Sequence, residues 1–280
     1  MQYTTEDITP EKAQQYLNTS LGNRAIIKPA LLSYINTIKS GKWLLNGSPI
    51  IFDNGGHLID GHHRLMAVVK SGITVRFSVT RGAEDGSFAT LDNGITRTLA
   101  QLLRMQDVKN YNLVASIVMS NDQLVRRGRL TANTSDGGNS KTAKFMNADK
   151  IALFNLDPKG YEDVGGIICS FQTRCRILPG SWAGGLYYYL THTGGYSDEE
   201  VYPFFDAVFS VDTSSIPVAD MLRRFITKER INGRRLSSEL LWAFVVKAWN
   251  HYVSGTTPKI LRYDSQRESM PVLKIKNATE

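Results

Sequence analysis

The chain reads as an α+β unit followed by a mostly α-helical one, and three patterns predict this. Between residues 50 and 79, short apolar runs alternate with turns rich in Gly and Asn and with one amphipathic helix. From about residue 109 the apolar residues recur at helical spacing. At 280 residues the chain exceeds what a single core usually holds, so a division into residues 1–105 and 106–280 is expected.

Taken in order, Thr9-Pro10-Glu11 is a helix start, with Thr9 as N-cap and Pro10 in the first turn, and the helix runs to about Leu17. Pro29 opens a second helix, with Leu31, Leu32, Ile35 and Ile38 on one face and Gly41 at its end. Ile50-Ile51-Phe52 is a strand, Asp53-Asn54-Gly55-Gly56 a hairpin turn shaped by Asp53, and Leu58-Ile59 the return strand. Gly61 begins a helix carrying Leu65, Val68 and Val69 that closes at Gly72, and Ile73, Val75, Phe77 and Val79 alternate as the next strand. A helix near Gly86 to Leu91, a turn at Asp92-Asn93-Gly94, and a helix over Leu99 to Leu103 capped by Thr96 or Thr98 complete the first unit. Ala132 to Lys144 reads as a Thr/Asn/Ser/Gly loop; its Gly137-Gly138-Asn139-Ser140-Lys141-Thr142 lacks the spacing of a phosphate loop. Later helices are expected over 161–175, 181–192, 198–209, 216–229 and 236–253.

Composition bounds the partners. Hydrophobic residues make up 42% and charged residues 21%, a globular rather than a disordered balance. A formal charge of +7 and a pI near 9.3 favour polyanions. Cys169 and Cys175 fit no zinc-ligand spacing and read as reduced thiols; no metal ligand set is expected. The start, Met1 to Asp7, is polar and acidic, and no apolar run has the length of a membrane span, so a cytoplasmic protein without membrane contact is expected.

The residues with most chemistry are Asp60-Gly61-His62-His63-Arg64. A helix start presents unpaired amides at the positive end of its dipole, and a glycine lets an anion come close. Arg64 can fork onto phosphate oxygens, while His62 or His63 can donate or move a proton. Asp60 can orient a histidine, accept from a ribose hydroxyl, or hold a metal through water. Asn23-Arg24 offers further polar groups, and Asp92 to Thr98 repeats the turn-then-helix logic with Arg97 and Thr98 at its opening. Arg223, Arg224, Lys228, Arg230, Arg234 and Arg235 form a basic stripe with only Glu229 opposing, suited to a phosphate backbone; Arg126-Arg127-Gly128-Arg129 adds to it. Tyr187-Tyr188-Tyr189 near Trp182 reads as core rather than a base-stacking platform.

The hairpin, the box Asp60-Gly61-His62-His63-Arg64-Leu65-Met66-Ala67, Gly72 and the strand after it together resemble the N-terminal domain of the ParB/sulfiredoxin superfamily. Within it the chain is similar to a group of phage and bacterial proteins. Their marks match Asn23-Arg24, Gly41-Lys42-Trp43, the 60–65 box and Asp92-Asn93-Gly94-Ile95-Thr96-Arg97-Thr98-Leu99-Ala100. Lys247-Ala248-Trp249-Asn250 resembles their C-terminal helix, and the likeness is good over about residues 8–105.

The resemblance implies a ParB/sulfiredoxin-like domain before a helical one, and a pocket for a nucleoside triphosphate or diphosphate, with or without Mg2+. Gly61, Arg64, Asn23, Arg24, Arg97 and Thr98 would hold the nucleotide, with DNA and a second copy of the chain as further partners. The cysteine-dependent reductase of the superfamily is excluded, because His62 or His63 stands where its cysteine would be. Three functions stay open: a DNA-associated nucleotide-binding protein that hydrolyses a phosphate ester, as NTPase or nuclease, through His62, His63 and Asp60; an ATP- or ADP-dependent small-molecule phosphotransferase; and a non-catalytic phage-type DNA-binding or inhibitory protein.

Overall fold

The computed structural model describes residues 1–20, 26–84, 98–131, 147–212 and 215–276, and these form two compact units. The first holds strands β1 (Gln2–Ile8), β2 (Ile50–Asp53), β3 (Leu58–Asp60) and β4 (Val75–Ala83), with helices α1 (Pro10–Asn18), α2 (Lys28–Lys39) and α3 (His62–Ser71). The sheet order is β1-β4-β2-β3, with β1 antiparallel and β2 parallel to β4, and β3 returning antiparallel to β2.

Local chemistry explains most of these boundaries. The Thr9 hydroxyl accepts from the Lys12 amide and Pro10 occupies the first turn of α1. Asp53 accepts from the His57 amide at 2.8 Å and closes the hairpin. Alternation places Val75, Phe77 and Val79 in the core with Ile8, Phe52, Leu65 and Val68; α1 and α2 both pack on α3. Ile73 is exposed and precedes the strand, because the backbone has not yet entered the sheet there. The polar stretch at the start, to which the sequence assigns no element, is β1: it pairs along its whole length with β4 although only Ile8 is buried.

The second unit contains α4 (Leu99–Arg104), α5 (Tyr111–Arg127), α6 (Asn147–Phe154), α7 (Pro158–Arg174), α8 (Gly180–His192), α9 (Asp198–Val208), α10 (Pro217–Ile231) and α11 (Ser238–Val253). The sequence grouped α4 with the first unit; its Leu99 and Leu103 instead enter the second core, where α4 packs on α5. Helices α5 and α8 approach closely because Gly184 and Gly185 have no side chain: a Cβ on either would stand 2.4 Å from Ile117 or Ser120. Tyr187 and Tyr188 are buried, in keeping with the core reading; Tyr188 stacks on Tyr161 at 4.0 Å.

Residues 255–276 have no long regular element, and α11 fastens them. Trp249 Nε1 donates to the Lys274 carbonyl at 3.0 Å, Asn250 clamps the Val272 carbonyl and Lys274 amide, and Lys247 reaches Glu268. This accounts structurally for three side chains of Lys247-Ala248-Trp249-Asn250. Both cysteines are free. Among the described residues no helix is long and apolar enough to cross a membrane. The expected helix at 86–91, the turn at 92–94 and the loop at 132–144 lie outside the described residues.

Candidate functional site

The start of α3 is built by glycine sterics. Gly61 caps the helix at φ +103°, a left-handed conformation, and an added Cβ would stand 2.5 Å from Ile50 Cδ1. Strand β2 therefore lies directly against the turn, and the missing side chain serves packing as well as backbone shape. The N-cap Gly61 offers α3 no side-chain cap, and this end of the helix is the positive end of its dipole.

Asp60 and Arg64 form a clamp across this turn. Asp60 accepts from the Gly61 amide at 2.7 Å and from Arg64 Nη2 at 2.7 Å, while Arg64 Nη1 donates to the Ser48 carbonyl at 2.6 Å. Arg64 is buried, so its charge is balanced and its two terminal nitrogens are engaged inside the unit. In this arrangement Arg64 fixes the turn, and Asp60 pairs with Arg64 rather than with a histidine.

The histidines differ. His63 Nε2 accepts from the Ile27 amide at 2.9 Å, which occupies that lone pair. The half-buried His62 has a shielded Nδ1 that meets no hydrogen-bond partner. Burial pushes its protonation below the ordinary histidine range. The two rings stand 6.5 Å apart. The start of α3 thus lacks a side-chain cap, and beside it stands an imidazole with one unsatisfied, shielded nitrogen.

Of the remaining phosphate candidates, Asn23, Arg24 and Arg97 lie outside the described residues. Thr98 is described, and it caps α4 in a capping box with Gln101, each side chain bonding the other residue's amide. Among the described residues no group of three His, Cys, Asp or Glu side chains stands close enough to share a metal ion.

The basic stripe divides in two. The sequence counted only Glu229 as opposing it; Asp220, one turn earlier, also opposes it. Buried Asp220 pairs with both Arg223 and Arg224, and Arg223 also donates to the Ser210 carbonyl. Arg230 donates to the carbonyls of Arg176 and Ile177 at 2.8 and 2.7 Å. Arg223 and Arg230 thus tie α10 to its neighbours. Arg224, Lys228, Arg234 and Arg235 stay exposed, with Arg234 3.9 Å from Glu229. The spacing of Asp220 to Arg224, i to i+4 on a helix, was the available signal for the pairing.

A second polar cluster, on β1, gives no signal in the sequence pattern. Glu6 on β1 accepts from Arg81 and Thr4 at one oxygen and from Tyr16 at the other, with Lys12 at 3.0 Å. Arg81 also lies over the rings of Tyr16 and Phe52. Burial alone would raise the Glu6 carboxyl; the hydrogen bonds from Arg81, Tyr16, Lys12 and Thr4 outweigh it and hold the group well below the usual carboxylate range.

No family model and no curated protein matches the chain. Among solved structures, the C2221 crystal form of a Pnob8-like ParB-N domain is similar at 15% identity, over 83% of this chain and 96% of that one. The TM-score of that match is 0.21, too low for any residue of one chain to be equated with a residue of the other.

Proposed function

We propose that the first turn of α3 binds the phosphate group of a nucleotide and that the chain associates with DNA. The observation that supports this most is the uncapped start of α3 beside His62, whose Nδ1 has no partner. The amides of the turn are the donors in this reading, joined by His62 Nδ1 once its ring turns out of the shielded position. Gly61 keeps the turn open, and Asp60 and Arg64 hold its shape from beneath. The donor set suits a terminal phosphate, and the resemblance of the 60–65 box points the same way. A magnesium ion arriving with the nucleotide would rely on the phosphates, since Asp60 is taken up by Arg64. Binding, rather than turnover, is what this geometry supports. Asp60 and His63 already have partners, and His62 is the one residue of the three with an unsatisfied ring nitrogen.

The DNA part of the reading rests on the net charge of +7 and on the exposed Arg234 and Arg235 that follow α10. Nucleotide binding is tested by thermal shift and calorimetry with CTP, ATP and ADP, with and without magnesium. A ligand at a hundred times its Kd stabilises the fold by about 2.7 kcal/mol, an easily read shift. His62→Ala is expected to remove that shift while the unliganded protein stays folded. A flat response to all three nucleotides in the native chain would sink the reading.

A further inference from the structure

We infer that the groove along α10 in the second unit docks an acidic, amphipathic helix of a partner protein. The groove has a volume of about 540 Å³ and runs beside the ends of α7 and α9. Arg224, Thr227, Lys228 and Ile231 line it at helical spacing, and Val211 faces them from beyond α9. Among the described residues no carboxylate lines it.

Two features select the occupant. Val211 and Ile231 are 75% and 79% exposed, an unusual setting for aliphatic side chains at the two sides of one groove. The lining also carries Arg223, Arg224 and Lys228, opposed by the single buried carboxylate of Asp220, so the rim stays positive. A nucleic-acid backbone would satisfy the cations but set phosphates against bare aliphatic surface. An acidic amphipathic helix satisfies both: its apolar stripe lies on Val211 and Ile231, and its carboxylates meet Arg224 and Lys228. From Arg223 to Ile231 the α10 face spans about 12 Å, enough for two turns of a docked helix. The opposite face of α10 is occupied, with Val218, Ala219, Leu222 and Ile226 in the core and Phe225 stacked on Phe244 at 3.8 Å.

The test uses the full chain and three fluorescent probes: a 15-residue peptide with Leu at helical spacing and Glu elsewhere, a scrambled peptide of the same composition, and a 20-nucleotide single strand. The amphipathic peptide is expected to bind at least tenfold more tightly than the scrambled one. Ile231→Ser and Lys228→Glu should each weaken it at least tenfold, with melting temperature and nucleotide response unchanged. Equal binding of the two peptides, or full affinity in Ile231→Ser, would overturn the assignment. A single strand that outcompetes the peptide and is lost only in Lys228→Glu would also overturn it, making the groove a nucleic-acid track.

Discussion

The turn at the start of α3 and the helix α10 use the same device to different ends. In both, an aspartate precedes an arginine by four residues and pairs with it: Asp60 with Arg64 at 2.7 Å, Asp220 with Arg224 at 2.8 Å. At the turn the arginine points inward, its side chain 11% exposed, and its second nitrogen is fixed by the Ser48 carbonyl. On α10 the aspartate is buried and holds two arginines, Arg223 at 12% exposure and Arg224 at 69%. Spacing therefore decides that an arginine will be paired, while the burial of its neighbours decides whether it is part of the scaffold or available to a partner.

The largest effect expected from this contrast is steric. Gly61→Ala places a Cβ 2.5 Å from Ile50 Cδ1 at a positive φ, and should cost about 3–4 kcal/mol, enough to unfold the first unit in mild urea. Gly233, just past the end of α10, also has positive φ (+68°) but open space around it. Gly233→Ala should cost only about 1–2 kcal/mol, the backbone penalty alone. Equal costs in urea titrations would mean that strand β2 does not press on the α3 turn.

The next effect separates inward from outward arginines. Arg64→Ala leaves Asp60 unpaired and the Ser48 carbonyl bare, and should cost about 2–4 kcal/mol. Arg224→Ala should cost under about 0.5 kcal/mol, because its partner keeps Arg223. A double-mutant cycle of Asp60 and Arg64 should return a coupling above about 1 kcal/mol. Near-zero coupling would place Arg64 among the available cations and restore it as a direct phosphate ligand.

How much of this was legible beforehand follows from what side-chain pattern can encode. The hairpin, the helix from His62, the alternating core of β4 and the later helices announce themselves through turn residues and periodicity, and the structure places them close to the expected bounds. Strand β1 did not, because its inward-facing residues Thr4 and Glu6 are polar and meet Arg81 and Tyr16 rather than aliphatic groups. A hydrophobic period cannot reveal a strand whose buried side is an ion cluster. At the candidate site the residue types were readable from the sequence. Which of them were already engaged was not, since that depends on Ser48 and Ile27, distant in sequence and chosen by backbone position rather than by side chain.

That ion cluster and His62 both make the first unit sensitive to acid, in separate windows. His62 titrates below its unfolded value, so the unfolded chain takes up the proton first; its contribution is complete above about pH 6.5 and declines below it. Glu6 is also depressed, so its contribution is present above the unfolded value of 4.5 and is lost as pH falls further. Melting temperature should therefore fall in two steps on acidification, with His62→Ala removing the upper and Glu6→Gln reducing the lower, to which Asp7, Glu11 and Asp53, also held below the ordinary carboxylate range, contribute. At neutral pH Glu6→Gln should cost on the order of 1 kcal/mol, after allowance for solvent screening. A single step, or steps insensitive to these changes, would mean that the two groups are as solvated in the fold as in the unfolded chain.

The smallest expected change in stability concerns the exposed end of the stripe. Arg235 and the loosely held Arg234 contribute little to the fold, and replacing either by Ala should leave the urea midpoint within error. Their removal should instead appear in the salt dependence of DNA binding. Each lost phosphate contact lowers the slope of log affinity against log salt by about 1, uniformly across DNA sequences. Arg230→Ala works as the opposite control, since its guanidinium holds the Arg176 and Ile177 carbonyls: it should lower stability and leave the slope unchanged. If Arg230→Ala lowers the slope while Arg234→Ala and Arg235→Ala do not, the residues tied into the scaffold and those left for a partner have been assigned the wrong way round.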